Sequence, residues 1–348
     1  MNLKHSKSVL LGTSALVCFA LSAPVMARDI VITSGTTTNN SGGSLNGNDT
    51  ANVTGTLDTG TTDSEHGILA SDDDNKITVS NEGHIITGGD DASGIYHTGD
   101  SNTTTVSGSI KTAGSRARGI YNTGNNNTTT VSGSITTGTG NNAFGIRNRG
   151  DTNTTTLSGS ITTTGASSYG IINYGDTNTT TVSGSIATTG SSAGGIYNEG
   201  DSNITTVSGS ITTTGAGGLG VFNYGSNNSV TISGTVSTTN SIYGALVNRN
   251  GTENSFTLNE GATIIGDITA RVDGIKNQLT LNLGQDKSYA YSVGGQGVGT
   301  GGGQWTYTDQ GRTPVISTNG TSCADETDVT VCNLVTAVGA ANAEVQNE

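Results

Sequence analysis

Proline is nearly missing from this chain: two in 348 residues, beside one Trp, two Met, four Phe and three Cys. No Pro falls between Arg28 and Thr313. That leaves every backbone N–H in the stretch free to donate, as long strand ladders require. Aromatics are 4% of residues and hydrophobic residues only 31%, too few for the thick core of most large enzyme folds. Charged residues are 12%, whereas disordered chains combine low hydrophobicity with high charge density and Pro. The formal net charge is −13, which argues against a nucleic-acid partner and against docking on an anionic membrane. What remains is Gly (54 residues), Ser, Thr and Asn. Such a composition fits something regular, thin and polar.

The first segment reads as an address. Lys4, His5 and Lys7 precede an apolar run from Val9 to Leu21, and Val25-Met26-Ala27 supplies a cleavage site. Residues 1–27 are therefore predicted to be a secretory signal peptide, too short to span a membrane as a mature helix. The mature chain is expected to begin near Arg28. Cys18 lies inside the apolar run, and Ala15-Leu16-Val17 lacks the small residue a lipid-anchor signal places before its Cys. Two cysteines then remain, Cys323 and Cys332. An even count in an oxidising compartment favours a disulfide, worth about 2–3 kcal/mol for so short a loop. A metal site there is disfavoured, since no His lies near the pair.

The dominant signal is a repeat. Gly119-Ile120-Tyr121-Asn122 recurs as Gly145-Ile146-Arg147-Asn148, Gly170-Ile171-Ile172-Asn173, Gly195-Ile196-Tyr197-Asn198 and Gly220-Val221-Phe222-Asn223, with looser copies from Gly67, Gly94 and Gly244. Each is followed by a segment like Thr105-Val106-Ser107-Gly108-Ser109-Ile110, whose central Gly returns at Gly133, Gly159, Gly184, Gly209 and Gly234. The period is about 25 residues, with about nine copies. Within a copy, β-branched residues alternate apolar and polar at strand spacing, and Gly, Asn and Asp punctuate at fixed offsets. One copy holds roughly three apolar side chains, worth about 1.5–3 kcal/mol each when buried. Fixing its backbone costs on the order of 25–50 kcal/mol. A single copy cannot fold alone, but stacked copies can. The predicted fold is a right-handed parallel β-helix of about nine coils: an N-terminal cap at 28–50, repeats over 51–265, a less regular end or cap at 266–312, and a tail at 313–348 holding the Cys323–Cys332 loop.

Two Asn registers support the stack. Asn122, Asn148, Asn173, Asn198 and Asn223 follow the inward Ile by two residues, and stacked amides can donate and accept from coil to coil. Asn102, Asn127, Asn153, Asn178, Asn203 and Asn228 follow the Gly-Asp turn, where an amide ladder and a turn residue of positive φ are equally good explanations.

Gly-Ile-x-Asn followed by Val-Ser-Gly-Ser-Ile, behind a signal peptide, resembles the passenger domain of bacterial autotransporters over roughly residues 30–310. Gly266-Asp267-Ile268 to Leu279-Thr280-Leu281 and then Trp305-Thr306-Tyr307 resemble the less repetitive end of such passengers, where a cap would protect open strand edges. The resemblance implies export to the surface of a Gram-negative bacterium and adhesion, with a host-cell receptor or polysaccharide as partner. The family's C-terminal barrel would appear as a dozen or so alternating strands. The tail from Val338 is polar instead, so any membrane link is expected only through a missing or separate translocator, with the periplasm as another destination.

Chemistry is sparsely signalled. Gly190-Ser191-Ser192-Ala193-Gly194 matches a nucleophile pattern but sits in a repeat loop, and His66, His84 and His97 have no evident nucleophile partner. Gly297, Gly299 and Gly302 lack a βαβ setting. No catalytic residue, cofactor or metal is therefore predicted. Asp100, Asp151 and Asp176 share a turn register with Asp201, broken by Asn125 and Ser226; exposed turn carboxylates are preferred there over bound calcium. Asp72-Asp73-Asp74 reads as a solvated loop. Arg149-Gly150-Asp151 spells an integrin-recognition tripeptide and is the candidate binding site, although Gly-Asp belongs to the repeat. Tyr96, Tyr121, Tyr197 and Phe222 form an outward stripe, interrupted by Arg147 and Ile172, that could bind sugars or a partner. Runs such as Thr103-Thr104-Thr105 resemble ice-binding arrays. The expected function is thus a non-catalytic exported β-helix acting in adhesion; the alternatives are a polysaccharide lyase or depolymerase on the same scaffold, and ice binding.

Overall fold

A computed structural model of the chain describes residues 28–33, 44–241, 243–270 and 277–282, and traces further backbone strands at 8–11, 288–291, 293–294, 305–308, 317–318, 321–322 and 335–338. Most of the signal segment, the three glycines at 297–302 and the Cys323–Cys332 pair lie outside the described residues. The described residues are all β, without a helix. The chain divides into two compact units, Met1–Tyr174 and Gly175–Glu348. Each is a parallel β-solenoid, and together they carry about nine turns of the repeat.

In the first unit a coil consists of three short strands, for example Thr103–Val106, Ser109–Thr112 and Ile120–Asn122. Each pairs in parallel with its counterpart one coil on. Val106 lies over Val131 and Val131 over Leu157; Ile110 over Ile135 and Ile135 over Ile161; Ile120 over Ile146 and Ile146 over Ile171. All nine are at most 1% exposed. The register has no slip because a slip of one residue would turn every Val and Ile to water. The first of these strand stacks already includes Asp29–Ile32, which pairs with Thr50–Val53.

The second unit repeats this logic. Val182 lies over Val207 and Val207 over Ile232; Ile186 lies over Ile211 and Ile211 over Val236. Towards its far end the interior loses its hydroxyls. The site of Thr180 and Thr205 becomes Val230, then Phe256, then Leu279.

The central Gly of each repeat has a steric cause. A Cβ on Gly159 would lie 1.9 Å from the Gly133 carbonyl oxygen, and one on Gly133 would lie 1.9 Å from that of Gly108. Successive turns touch through their backbones, and no side chain fits between them.

The first Asn register is an amide ladder. Asn122 Nδ2 donates to Asn148 Oδ1 and Asn148 Nδ2 to Asn173 Oδ1, each at 2.8 Å. In the second unit Asn198 donates to Asn223 and Asn223 to Asn248, each at 2.9 Å. The second register is a different ladder. The backbone N–H of Asn102 donates to Asn127 Oδ1, and that of Asn127 to Asn153 Oδ1, both at 2.8 Å. Positive φ falls one residue earlier, at Ser101, Asn126 and Thr152 in the first unit and Thr177, Ser202 and Asn227 in the second. A β-branched residue is rare in that conformation. Thr152 is held there by its own hydroxyl, which donates to Asn126 Oδ1 at 2.6 Å.

The ladders end in substitutions. Asp49 occupies the second register at the N-terminal end, fully buried. It accepts from the Arg28 backbone at 2.7 Å and from the Arg28 guanidinium at 2.8 and 3.0 Å. His97 sits beneath Asn122 in the first register, buried, with Nε2 2.7 Å from Thr104 Oγ1. Its Nδ1 and the facing register's Asn122 Oδ1 both lack partners. Burial pushes the His97 pKa down from 6.5 to about 3, so the imidazole is neutral.

Gly159→Ala should prevent coil closure and abolish the cooperative thermal transition, read by circular dichroism. His97→Asn should continue the ladder, its amide donating to Asn122 Oδ1. Unfolded His binds a proton below pH 6.5 that buried His97 refuses down to about pH 3, so the parent loses stability as pH falls through that window. The variant should be at least as stable at pH 7. Its advantage should grow by roughly 1 kcal/mol per pH unit below 6.5, read by denaturant titration at pH 7 and 4.5.

Candidate functional site

Alternation along the third strand of each coil sends Ile and Asn inward and the residue between them outward. In the first unit that outward column is Leu69, Tyr96, Tyr121, Arg147 and Ile172. The residue two places before the inward Ile lies beside it: His66, Ser93, Arg118, Phe144 and Tyr169. The two columns merge into one arginine and aromatic face. Tyr96 and Tyr121 stack with centroids 4.8 Å apart and planes 5° off parallel. His66 meets Tyr96 edge-on at 4.8 Å. Arg118 lies 4.9 Å over the Tyr121 ring. Phe144 and Tyr169 are 6.3 Å apart.

The stripe expected to be interrupted by Arg147 is instead continued by it. Its guanidinium stands 5.0 Å over Tyr121 from the coil before and 4.8 Å over Tyr174 from the coil after, with Phe144 at 5.8 Å. Each such contact is worth roughly 0.5–2 kcal/mol. Among the described residues these rings are the partners of the Arg147 guanidinium, with the Arg118 cation nearby. No carboxylate or hydrogen-bond acceptor meets its guanidinium, and its Nε is buried without a partner. Arg118 Nε is likewise buried and unpartnered.

The electrostatics follow from this crowding. The Arg118 pKa is drawn down, first by burial and then by the neighbouring Arg147 cation. Its one ion pair, to Asp91, is long at 3.5 Å. Asp91 is claimed more closely by Arg116 at 2.7 Å, whose hydrogen bond holds the carboxyl below its usual range. His66 is lowered by burial, then by Arg118. Burial pushes the Tyr169 hydroxyl up to about 12, so it stays protonated.

The other candidates are occupied by the scaffold. Asp73 Oδ1 accepts the Asp100 N–H, Asp100 Oδ1 accepts the Asn125 N–H, and Asn125 Oδ1 accepts the Asp151 N–H, at 2.7–2.8 Å. In the second unit Asp176 and Asp201 do the same for Asp201 and Ser226 at 2.7 Å. The acidic register is therefore a third ladder, of side chain to turn amide. Arg149-Gly150-Asp151 lies within it. Arg149 and Asp151 are exposed and Gly150 is buried, and a Cβ on Gly150 would lie 2.3 Å from the Gly124 carbonyl. Asp72-Asp73-Asp74 line a shallow hollow with Thr98, Gly99 and Asp100. Among the described residues no group of three or more His, Cys, Asp or Glu is arranged to hold a metal ion. Ser192, inside the nucleophile-like pattern, has φ 53° in a loop leading into the strand Gly194–Glu199, not in a strand–turn–helix elbow.

The Thr runs divide by alternation. Thr104, Thr129 and Thr155 point inward and are buried, while Thr103, Thr128 and Thr154 stand exposed with Thr105, Thr130 and Thr156 beside them. Comparison of the chain with family models, curated proteins and solved structures finds no match.

Asp100→Ala should remove the acceptor for one turn amide. It should lower stability by about 1 kcal/mol without loss of the native fold, read as a reduced denaturation midpoint with an unchanged β-sheet spectrum.

Proposed function

We propose that this chain is an exported, non-catalytic interaction module of the passenger type, displayed at the cell surface or released, whose task is adhesion. The observation that carries the reading is a contrast between two sets of charged groups. The repeated acids are consumed in holding one coil to the next. The Arg147 guanidinium, on the outward face, is held only by rings and has no acceptor. The first set is scaffold, and the second is unused recognition chemistry. The signal-like segment supports export. The regular Gly-Ile-x-Asn repeats support the passenger likeness. Arg149-Gly150-Asp151 remains a lesser candidate for a host-receptor contact, since its Gly-Asp is part of a ladder.

Beads coated with residues 28–348 should adhere to animal, plant or bacterial cell surfaces above albumin-coated beads. Absence of adhesion to all three would refute the reading, and turnover of a polysaccharide would replace it with the enzyme alternative.

One observation favours a second reading. The outward Thr-x-Thr pairs at 103/105, 128/130 and 154/156, exposed at the first Thr and half-buried at the second, form a hydroxyl grid on parallel strands, whose spacing of about 4.8 Å is of the kind ice-binding surfaces use. Lys76, at the same register one coil earlier, breaks the grid with a charge. Thermal hysteresis in a solution of the protein would promote this reading.

A further inference from the structure

Resting on the adhesive reading, the geometry points to a ligand class: we infer that the arginine and aromatic face of the first unit binds an acidic polysaccharide through its carboxylates, with Arg147 and Arg118 as the anchoring donors.

Four observations lead there. First, Arg147 brings a full positive charge into a half-buried setting with no counter-ion and a buried, unsatisfied Nε. The Nε is closed to solvent, but the terminal nitrogens are not buried, and a half-buried charge without a counter-ion is relieved by an incoming acceptor at those nitrogens. Second, Arg118 stands close enough to Arg147 for each cation to raise the other's cost, and Asp91 answers it only at 3.5 Å. Two neighbouring guanidinium groups with less than one carboxylate between them form a local cationic patch. Third, the rest of the chain is acidic, at −13. That charge does not forbid an anionic ligand here, since charges beyond about 8 Å are largely screened at physiological salt. It does confine anion binding to the patch.

The fourth observation selects among anions and excludes the usual mode of sugar binding. Tyr96 and Tyr121 lie flat against one another, and Tyr121 is further covered by Arg118 and Arg147 until it is 8% exposed. Tyr121 is thus closed to a sugar lying flat on it. Arg147 lies between Tyr121 and Tyr174 from the coils on either side, and with Nε buried its two terminal nitrogens are the direction left for a ligand. A planar carboxylate accepts from these two nitrogens as a bidentate fork without displacing a ring. The occupant that fits is therefore a flexible chain of uronic acid residues, lying along the face with carboxylates against the arginines.

The repeat supplies its own controls. Ile172 occupies the Arg147 position one coil on, and Ser93 occupies the Arg118 position one coil before. Arg147→Ile and Arg118→Ser therefore substitute residues the scaffold already accepts. Residues 28–348 should be passed over immobilised polygalacturonate, a sulfated dextran and neutral dextran, with binding read by surface plasmon resonance at 0.05 and 0.5 M salt. The expected result is binding to polygalacturonate, weakened by high salt, and about ten-fold or more weaker in Arg147→Ile and in Arg118→Ser. Arg147→Lys should also bind more weakly, because a point charge cannot form the fork, and each variant should keep the parent's denaturation midpoint within a few degrees. Equal binding to neutral dextran, binding to the sulfated chain alone, or arginine variants that bind polygalacturonate like the parent would overturn the inference. The cell-adhesion beads separate the two levels: adhesion without polygalacturonate binding overturns this ligand and leaves the adhesive reading standing, while absence of both removes both.

Discussion

Each coil depends on the next for its hydrogen bonds. Within the repeats the strands are mostly three to six residues long and make no ladder within their own coil. Ladder bonds there run to the equivalent residue about 25 positions away, as from Val106 to Val131 and on to Leu157. A repeat that drifted by one residue would break three strand pairings at once and turn a row of isoleucines to water. This is why the sequence can vary freely at outward positions yet keeps its inward ones. It also explains how a chain with so few apolar residues folds: the interior is narrow, and most Val and Ile among the described residues are buried in it.

A narrow interior cannot be wholly apolar when the available residues are Thr and Asn, so polar groups are stacked until they satisfy one another. Three ladders do this by different chemistry. Asn amides bond to Asn amides, Asn oxygens accept backbone N–H groups, and turn carboxylates accept turn N–H groups. Buried polar groups are tolerable only when the network is complete. Its defects include His97 below Asn122, which leaves two atoms unpaired, the side-chain nitrogens of Asn127 and Asn203, which are buried without partners, and Asp49, which needs Arg28 to neutralise it.

How much of this could be read beforehand depended on whether a feature repeats. The strands, the inward residues and the Asn stacking follow from period and alternation, and they stand where the repeat puts them. For the second Asn register the pattern allowed either a ladder or a turn residue of positive φ; the ladder is what forms, and the positive φ falls one residue earlier, at Thr152 and Thr177 among others. The role of Arg147 was inverted. In one dimension an Arg between tyrosines interrupts a stripe, but with Tyr121 and Tyr174 supplied by the coils on either side it is the centre of one. Arg118, Phe144 and Tyr169 went unread because they lie at or just before the start of the third strand, where the repeat is least regular. Counting two residues back from each inward Ile would have placed them in one column.

A periodic scaffold thus separates structure from recognition unusually cleanly. Positions that recur, such as the turn Asp and the ladder Asn, are accounted for by bonds to their own copies, and their exposure in a single coil says little about ligands. The tripeptide at 149–151 illustrates the point, because two of its three residues are repeat positions. Recognition must then reside where one coil differs from its neighbours without damaging the stack. In the first unit those differences concentrate on one outward face, where His66, Arg118, Phe144, Arg147 and Tyr169 each replace a different side chain in the adjacent coils. The stack fixes their separations through its own strand spacing, so departures from the repeat are held as rigidly as the repeat itself.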